Sequence, residues 1–141
     1  TDPAFKRRLL ADASSVVVEE GVAGFEGTHV LVKENTAAVH NLVVCTLCSC
    51  YPWPLLGLPP VWYKSTPYRA RAVSEPRALL REMGLELRPE VELKVWDSNA
   101  ELRFLVLPMR PAGTEGLGVD ELAALVTRDA MIGTAVVPPP A

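Results

Sequence analysis

The chain has 141 residues, 49% of them hydrophobic, with 14 basic and 17 acidic side chains and a formal net charge of −3. That length suits one domain with a core of moderate size, and charge of both signs without a basic block argues against nucleic acid as a partner. No run reaches the ~18 apolar residues of a membrane span, the start carries no signal-peptide pattern, and three unpaired cysteines fit a reducing cytoplasm.

Asp2-Pro3 reads as a helix start, with Asp as N-cap and Pro at the first helical position. Phe5, Leu9, Leu10, Ala13, Val16 and Val17 continue it with helical spacing towards Gly21, a stop. His29 to Glu34 alternates and is β-rich, and Val39 to Val44 is a second apolar run, so both are predicted strands. The second leads straight into Cys45-Thr46-Leu47-Cys48-Ser49-Cys50, and prolines then crowd Pro52 to Pro60 and stiffen the chain. Ser74-Glu75-Pro76 opens a second helix, with Leu79, Leu80 and Met83 on one face and Gly84 closing it. Val91 to Trp96 and Leu102 to Leu107 are predicted strands, joined as a hairpin by the turn composition Asp97-Ser98-Asn99. Gly118 to Ile132 is a predicted third helix with Leu122, Leu125, Val126 and Met131 roughly on one face. Val136-Val137 reads as a short edge strand before the proline-rich tail. The pattern is that of one mixed α+β domain over 1–141, with helices covering sheet and no internal repeat.

All three cysteines fall within six positions. A disulfide between any two would close a tiny loop that stabilises little, and the odd count leaves a thiol over. Thiolates are soft metal ligands, and three in one short turn read as a metal claw. A structural zinc site wants four protein ligands, and a fourth is not obvious. His29 and His40 are the only histidines. His40, in the apolar run before Cys45, reads as a hydrogen-bonded strand residue, with a ligand role as the alternative. Within Cys48-Ser49-Cys50 the flanking thiolates enclose the amide nitrogens of Ser49 and Cys50. A strong Lewis acid can take those deprotonated amides and the two flanking sulfurs in one plane, with Cys45 capping one axial position. The remaining position stays open for water or substrate, the mark of a catalytic metal site.

The residues Val44 to Pro54, with Leu56-Gly57-Leu58-Pro59-Pro60 and Trp62-Tyr63-Lys64, closely resemble the α subunit of nitrile hydratase. The metal-bearing subunit of thiocyanate hydrolase is a similar relative. The resemblance takes in Glu34-Asn35-Thr36, Val39-His40-Asn41, Tyr68-Arg69-Ala70-Arg71, Val95-Trp96-Asp97-Ser98, Leu107-Pro108, Arg110 to Thr114 and Leu125 to Asp129, nearly the whole chain. It implies a layered α-β-β-α fold. It also implies that Cys45, Cys48 and Cys50 are the sulfur ligands and the amides of Ser49 and Cys50 the nitrogen ligands, with Cys48 oxidised to a sulfinate and Cys50 to a sulfenate. Thr46, where serine marks the iron version, points to low-spin Co(III) ahead of iron. Cys50 and Ser49 become the catalytic residues, through the sulfenate oxygen and an orienting hydroxyl, and Trp53 a wall of the substrate pocket. For Ser49 a plain turn residue, and for Trp53 core packing, are the alternatives. The resemblance further implies a β-type partner subunit that closes the pocket and donates arginines to the claw oxygens, a companion protein that loads cobalt, and a small nitrile as substrate. The helical N-terminal arm of family members is short or missing, and Glu26 stands where some members carry glutamine.

Arg69, Arg71, Arg103 and Arg110 sit in apolar surroundings and need carboxylate or carbonyl partners. Asp97 and Arg103, at either end of the predicted hairpin, are candidates to pair. The arginines either hold the fold or anchor the claw or a partner subunit. The leading reading is the catalytic subunit of a cobalt nitrile hydratase. The alternatives are a thiocyanate hydrolase subunit, with the same claw and a different pocket, and a non-catalytic zinc or thiol protein.

Overall fold

The computed structural model describes residues 2–21, 29–46, 51–99 and 101–138, the Trp53 side chain apart. Helix α1 (Pro3–Ala11) starts as expected, with the Asp2 carboxylate accepting from Ala4 N and Phe5 N. It does not run to Gly21. Asp12 ends it and caps a second helix, α2 (Ala13–Glu19), by accepting from Ser15 N at 3.2 Å. A short acidic side chain that can cap the backbone competes with helix continuation, so the apolar spacing survives the break while the helix does not.

Strands β1 (His29–Glu34), β2 (Val39–Val44) and β4 (Leu102–Leu107) lie where the pattern put them, and β3 (Glu92–Asp97) is displaced by one residue. Their pairing corrects the expected hairpin. β1 pairs in parallel with β4 and β2 in parallel with β3, so β3 and β4 belong to different two-stranded sheets. Side-chain alternation explains how four strands serve three packing layers. Val30 and Val32 of β1, with Leu105 and Leu107 of β4, pack against Ala13, Leu9 and Leu10 of α1 and α2. Leu31, Phe104, Val106 and Val43 meet Trp96 between the sheets. Leu42 and Val44 of β2, with Leu93 and Val95 of β3, face a cluster of Tyr68, Ala72, Leu79 and Leu80. The order is helix, sheet, sheet, helix: the α-β-β-α arrangement the resemblance implied.

The outer layer over β2 and β3 comes from helices between those strands. After a short α3 (Trp53–Leu56) and a 3₁₀ turn (Val61–Lys64) come α4 (Thr66–Ser74) and α5 (Pro76–Glu82). The pattern missed α4, which buries only Tyr68 and Ala72 and opens on Ser65-Thr66-Pro67, a turn-like composition; the Ser65 hydroxyl accepts from Tyr68 N. The predicted helix 118–132 is two helices, α6 (Val119–Leu125) and α7 (Arg128–Ile132), parted where Val126 is extended and the Thr127 hydroxyl caps α7 through Ala130 N. Val136-Val137 forms no strand. Gly133 closes α7 at φ +103, and a Cβ there would lie 2.1 Å from Asn41 O, so only glycine lets α7 approach β2 this closely.

Candidate functional site

Strand β2 leads into the cysteine segment. From His40 to Val44 every residue is buried, and Cys45, 1% exposed, follows directly. Because β2 and β3 run parallel with Val44 opposite Asp97, both strands end at the same place. Asp97 turns that coincidence into a latch. Its carboxylate accepts from Thr46 N at 2.9 Å and from the Thr46 hydroxyl at 2.5 Å, while Ser98 N donates to Val44 O at 2.7 Å.

The residue after the cysteine segment, Tyr51, is held as well. The Arg103 guanidinium donates from Nη1 to Tyr51 O at 3.0 Å and from Nε to Asn99 O at 3.0 Å. Arg103 therefore does not pair with Asp97, as the predicted hairpin suggested; each grips one flank of the cysteine segment. Tyr51 is 3% exposed, its ring edge-on to Tyr63 at 5.0 Å, and burial pushes its phenol up to about 12. The Tyr51 hydroxyl is buried without a partner among the described residues. Tyr68 of α4 donates to Val43 O at 2.7 Å, which ties the helical layer to β2 two residues before Cys45.

Of the sequence-predicted ligands, Cys45 lies among the described residues, at the end of β2. Cys48, Ser49 and Cys50 lie outside them, as does Glu26. Trp53 begins α3, and its side chain is also outside the description. Among the described residues no group of three or more His, Cys, Asp or Glu is arranged to hold a metal. A soft metal would take its ligands from the cysteine segment itself. The donor set fits such an ion: Cys45 is held in a dry position on a rigid strand, and the segment that carries the other two thiols returns at a fixed point, Tyr51.

His40 takes its ordinary role. Its Nε2 lies 2.6 Å from Gly133 O, so that nitrogen donates, and Nδ1 lies 3.3 Å from Asn35 Nδ2 and accepts. The Asn35 orientation is independently set, since its Oδ1 accepts from Asn41 N at 2.7 Å and Asn41 Nδ2 at 2.9 Å. Asn41 Oδ1 then accepts from Trp96 Nε1 at 2.9 Å. With both ring nitrogens engaged, His40 is not available as a ligand. Burial holds its proton affinity below the usual value, partly offset by the Gly133 carbonyl.

The remaining arginines divide. Arg71 pairs with Glu75 and Glu82, and Arg110 donates to the Thr114 hydroxyl within its own loop, both fold-holding roles. Arg69 Nε is buried with no partner among the described residues. The Thr46–Asp97 latch and the Arg103–Tyr51 anchor were not read from the sequence. Their signal, an acid closing one strand and a cation near the start of the next, becomes legible only once the parallel pairing is known.

The chain matches the family described as "Nitrile hydratase, alpha chain" over residues 1–135. It is 61% identical over 135 residues to the low-molecular weight cobalt-containing nitrile hydratase subunit alpha of Rhodococcus rhodochrous, covering 96% of this chain and 65% of that protein. It is 51% identical over 108 residues to thiocyanate hydrolase subunit gamma of Thiobacillus thioparus, covering 77% of this chain and 44% of that one. A double mutant of the Fe-type nitrile hydratase from Comamonas testosteroni Ni1 superposes with a TM-score of 0.94 at 39% identity, over 99% of this chain and 72% of its own. The chain spans just under two thirds of the length of the nitrile hydratase relatives it matches at 65% and 66% coverage.

Proposed function

Because the chain belongs to the nitrile hydratase α-chain family, we propose that it is the metal-bearing catalytic domain of a cobalt nitrile hydratase, a hydro-lyase that adds water to a nitrile to give the amide. The observation that carries this reading is the 61% identity, over 96% of the chain, to a subunit named as cobalt-containing. Cys45, Cys48 and Cys50 supply three sulfurs, and the amides of Ser49 and Cys50 two nitrogens, with Cys48 as sulfinate and Cys50 as sulfenate. Cobalt is preferred to iron, on Thr46 and on the same relative. When bound, the trivalent ion would supply Lewis acidity.

The chain's own residues do the rest. The Cys50 sulfenate oxygen is the nucleophile or base beside the reacting carbon and water. The Ser49 hydroxyl orients the reacting water. Trp53 gives the pocket an apolar wall that excludes bulk water and accepts the nitrile's side group. Asp97 and Arg103 keep the two flanks of the claw in place. A β-type subunit covers the claw, and its arginines balance the charge of the oxidised sulfurs; a companion protein loads the cobalt. The assembly works in the cytoplasm, where the thiols stay reduced until the metal arrives. Among the described residues no helix is long and apolar enough to cross a membrane.

A second reading, a thiocyanate hydrolase subunit, keeps support from the 51% identity to such a subunit. The experiment that separates the readings is metal analysis of the full-length protein, co-expressed with its partner genes in medium holding cobalt, iron and zinc, followed by nitrile and thiocyanate assays. Cobalt close to one per chain with amide formation upholds the proposal. Cobalt with thiocyanate hydrolysis alone moves it to the second reading, and zinc, or no metal in a folded protein, overturns both.

A further inference from the structure

We infer that Asn99 is a positioning residue for the claw: it shapes the connector between the two anchors, Asp97 and Arg103. The inference rests on the claw reading above and deepens it. Asp97 holds Thr46, just after the first cysteine, and Arg103 holds Tyr51 O, just after the last. The two anchors, Asp97 in β3 and Arg103 in β4, flank one short connector. What sets their mutual distance is the fold of that connector.

Asn99 is the residue that folds it. Its Oδ1 accepts from Glu101 N at 2.8 Å and from Leu102 N at 2.9 Å, and its own N donates to Leu102 O at 2.8 Å. An Asx turn of this kind replaces backbone pairing that the chain gives up when it leaves one sheet for the other. Asn99 O also accepts from Arg103 Nε, so the planar guanidinium bridges two carbonyls, Asn99 O and Tyr51 O. Its neighbour Ser98 locks the connector to the sheets, through Ser98 N to Val44 O at 2.7 Å and Phe104 N to Ser98 Oγ at 3.1 Å.

The consequence is a claw segment closed at both ends by protein contacts alone. A segment tied this way loses its closure entropy during folding rather than during metal capture. Thr46 and Tyr51, the residues that flank the segment, are then fixed before an ion arrives, as a preorganised site requires. Without the Asx turn, Asp97 still ends β3 and Arg103 still lies in β4, but the distance between their grips is no longer set.

The test compares Asn99→Ala with Asn99→Asp, which keeps the accepting oxygen, in the full-length chain co-expressed with its partner genes. Amide exchange is followed by mass spectrometry in the metal-free protein, with the β1 peptide as internal control. Cobalt per chain is then measured after expression under limiting cobalt. Asn99→Ala is expected to speed exchange over 46–51 by about tenfold while β1 stays unchanged, and to lower cobalt occupancy at limiting metal by about tenfold or more. Asn99→Asp is expected to restore both. Wild-type exchange and cobalt content in Asn99→Ala overturns the inference, as does faster exchange spread evenly over the whole chain. A wild-type protein that takes up no cobalt, but whose Asn99→Ala variant still loosens 46–51, upholds the positioning role and overturns the metal reading instead.

Discussion

Replacing His40 by leucine probes the polar network around Asn35, Asn41 and Gly133 and, with it, the exclusion of His40 from the ligand set. Leucine keeps most of the volume but leaves the Gly133 carbonyl and the Asn35 amide without their buried partner. Each unpaired buried group costs about 1–3 kcal/mol, so the pair costs roughly 2–6 kcal/mol. For a chain of this size that is a fall in Tm of roughly 6–20 °C. The sign of the pH dependence follows from burial. The folded state holds the His40 proton affinity below the usual value of 6.5, so below that pH the unfolded chain takes up a proton the folded chain refuses. The contribution is complete above pH 6.5 and is lost as pH falls from there through the lower, folded value. The slope is about 1.4 kcal/mol per pH unit within that window. Urea unfolding of wild type and His40→Leu at about pH 5 and pH 8 isolates the term, since the carboxylates contribute equally to both proteins. The leucine variant is expected to lose less stability on acidification. Equal losses would refute the role assigned to His40, and loss of cobalt from the variant would return His40 to the ligands.

Cys50→Ala and Cys48→Ala are each expected to abolish cobalt retention, and a variant with full cobalt and full rate would sink the claw assignment. Trp53→Ala is expected to change the preference among nitriles with cobalt content intact; lost cobalt would make Trp53 structural. Thr46→Ser keeps the hydroxyl that donates to Asp97, so metal analysis is expected to find normal cobalt. Gly133→Ala forces a Cβ to 2.1 Å from Asn41 O at φ +103; calorimetry is expected to show a loss of roughly 3 kcal/mol or more, and a near-neutral result would contradict the close approach of α7 to β2.

The strands were legible from alternation in β1 and from the apolar run in β2, and β1, β2 and β4 fall on the runs from which they were read. The claw reading rests on three soft ligands in one short segment, of which Cys45 alone lies among the described residues. Pairing was not legible. Asp97-Ser98-Asn99 has the composition of a hairpin turn, yet its groups are committed elsewhere: Asp97 to Thr46, Ser98 N to Val44 O, Asn99 to the connector itself. Those partners lie about fifty residues away or in the local turn, and composition does not distinguish the two. The helix breaks at Asp12 and Thr127 were missed for a related reason, since a capping side chain leaves the apolar period undisturbed. Arg103 was singled out correctly, but its partner is a backbone carbonyl at Tyr51, invisible to any reading of side-chain charge.

The burial of β2 on both faces also constrains how this chain can tolerate insertions and deletions. Leu42 and Val44 serve one layer and Val43 the other, so parity along the strand decides to which side the following cysteine is delivered. Losing or gaining a single residue within β2 would exchange the two layers and turn Cys45 through half a rotation. The turn at Asn35 to Ala38 lies before the strand and carries no such parity. Length variation that preserves the delivery of Cys45 therefore falls outside β2, and the strand that bears it behaves as a keyed shaft.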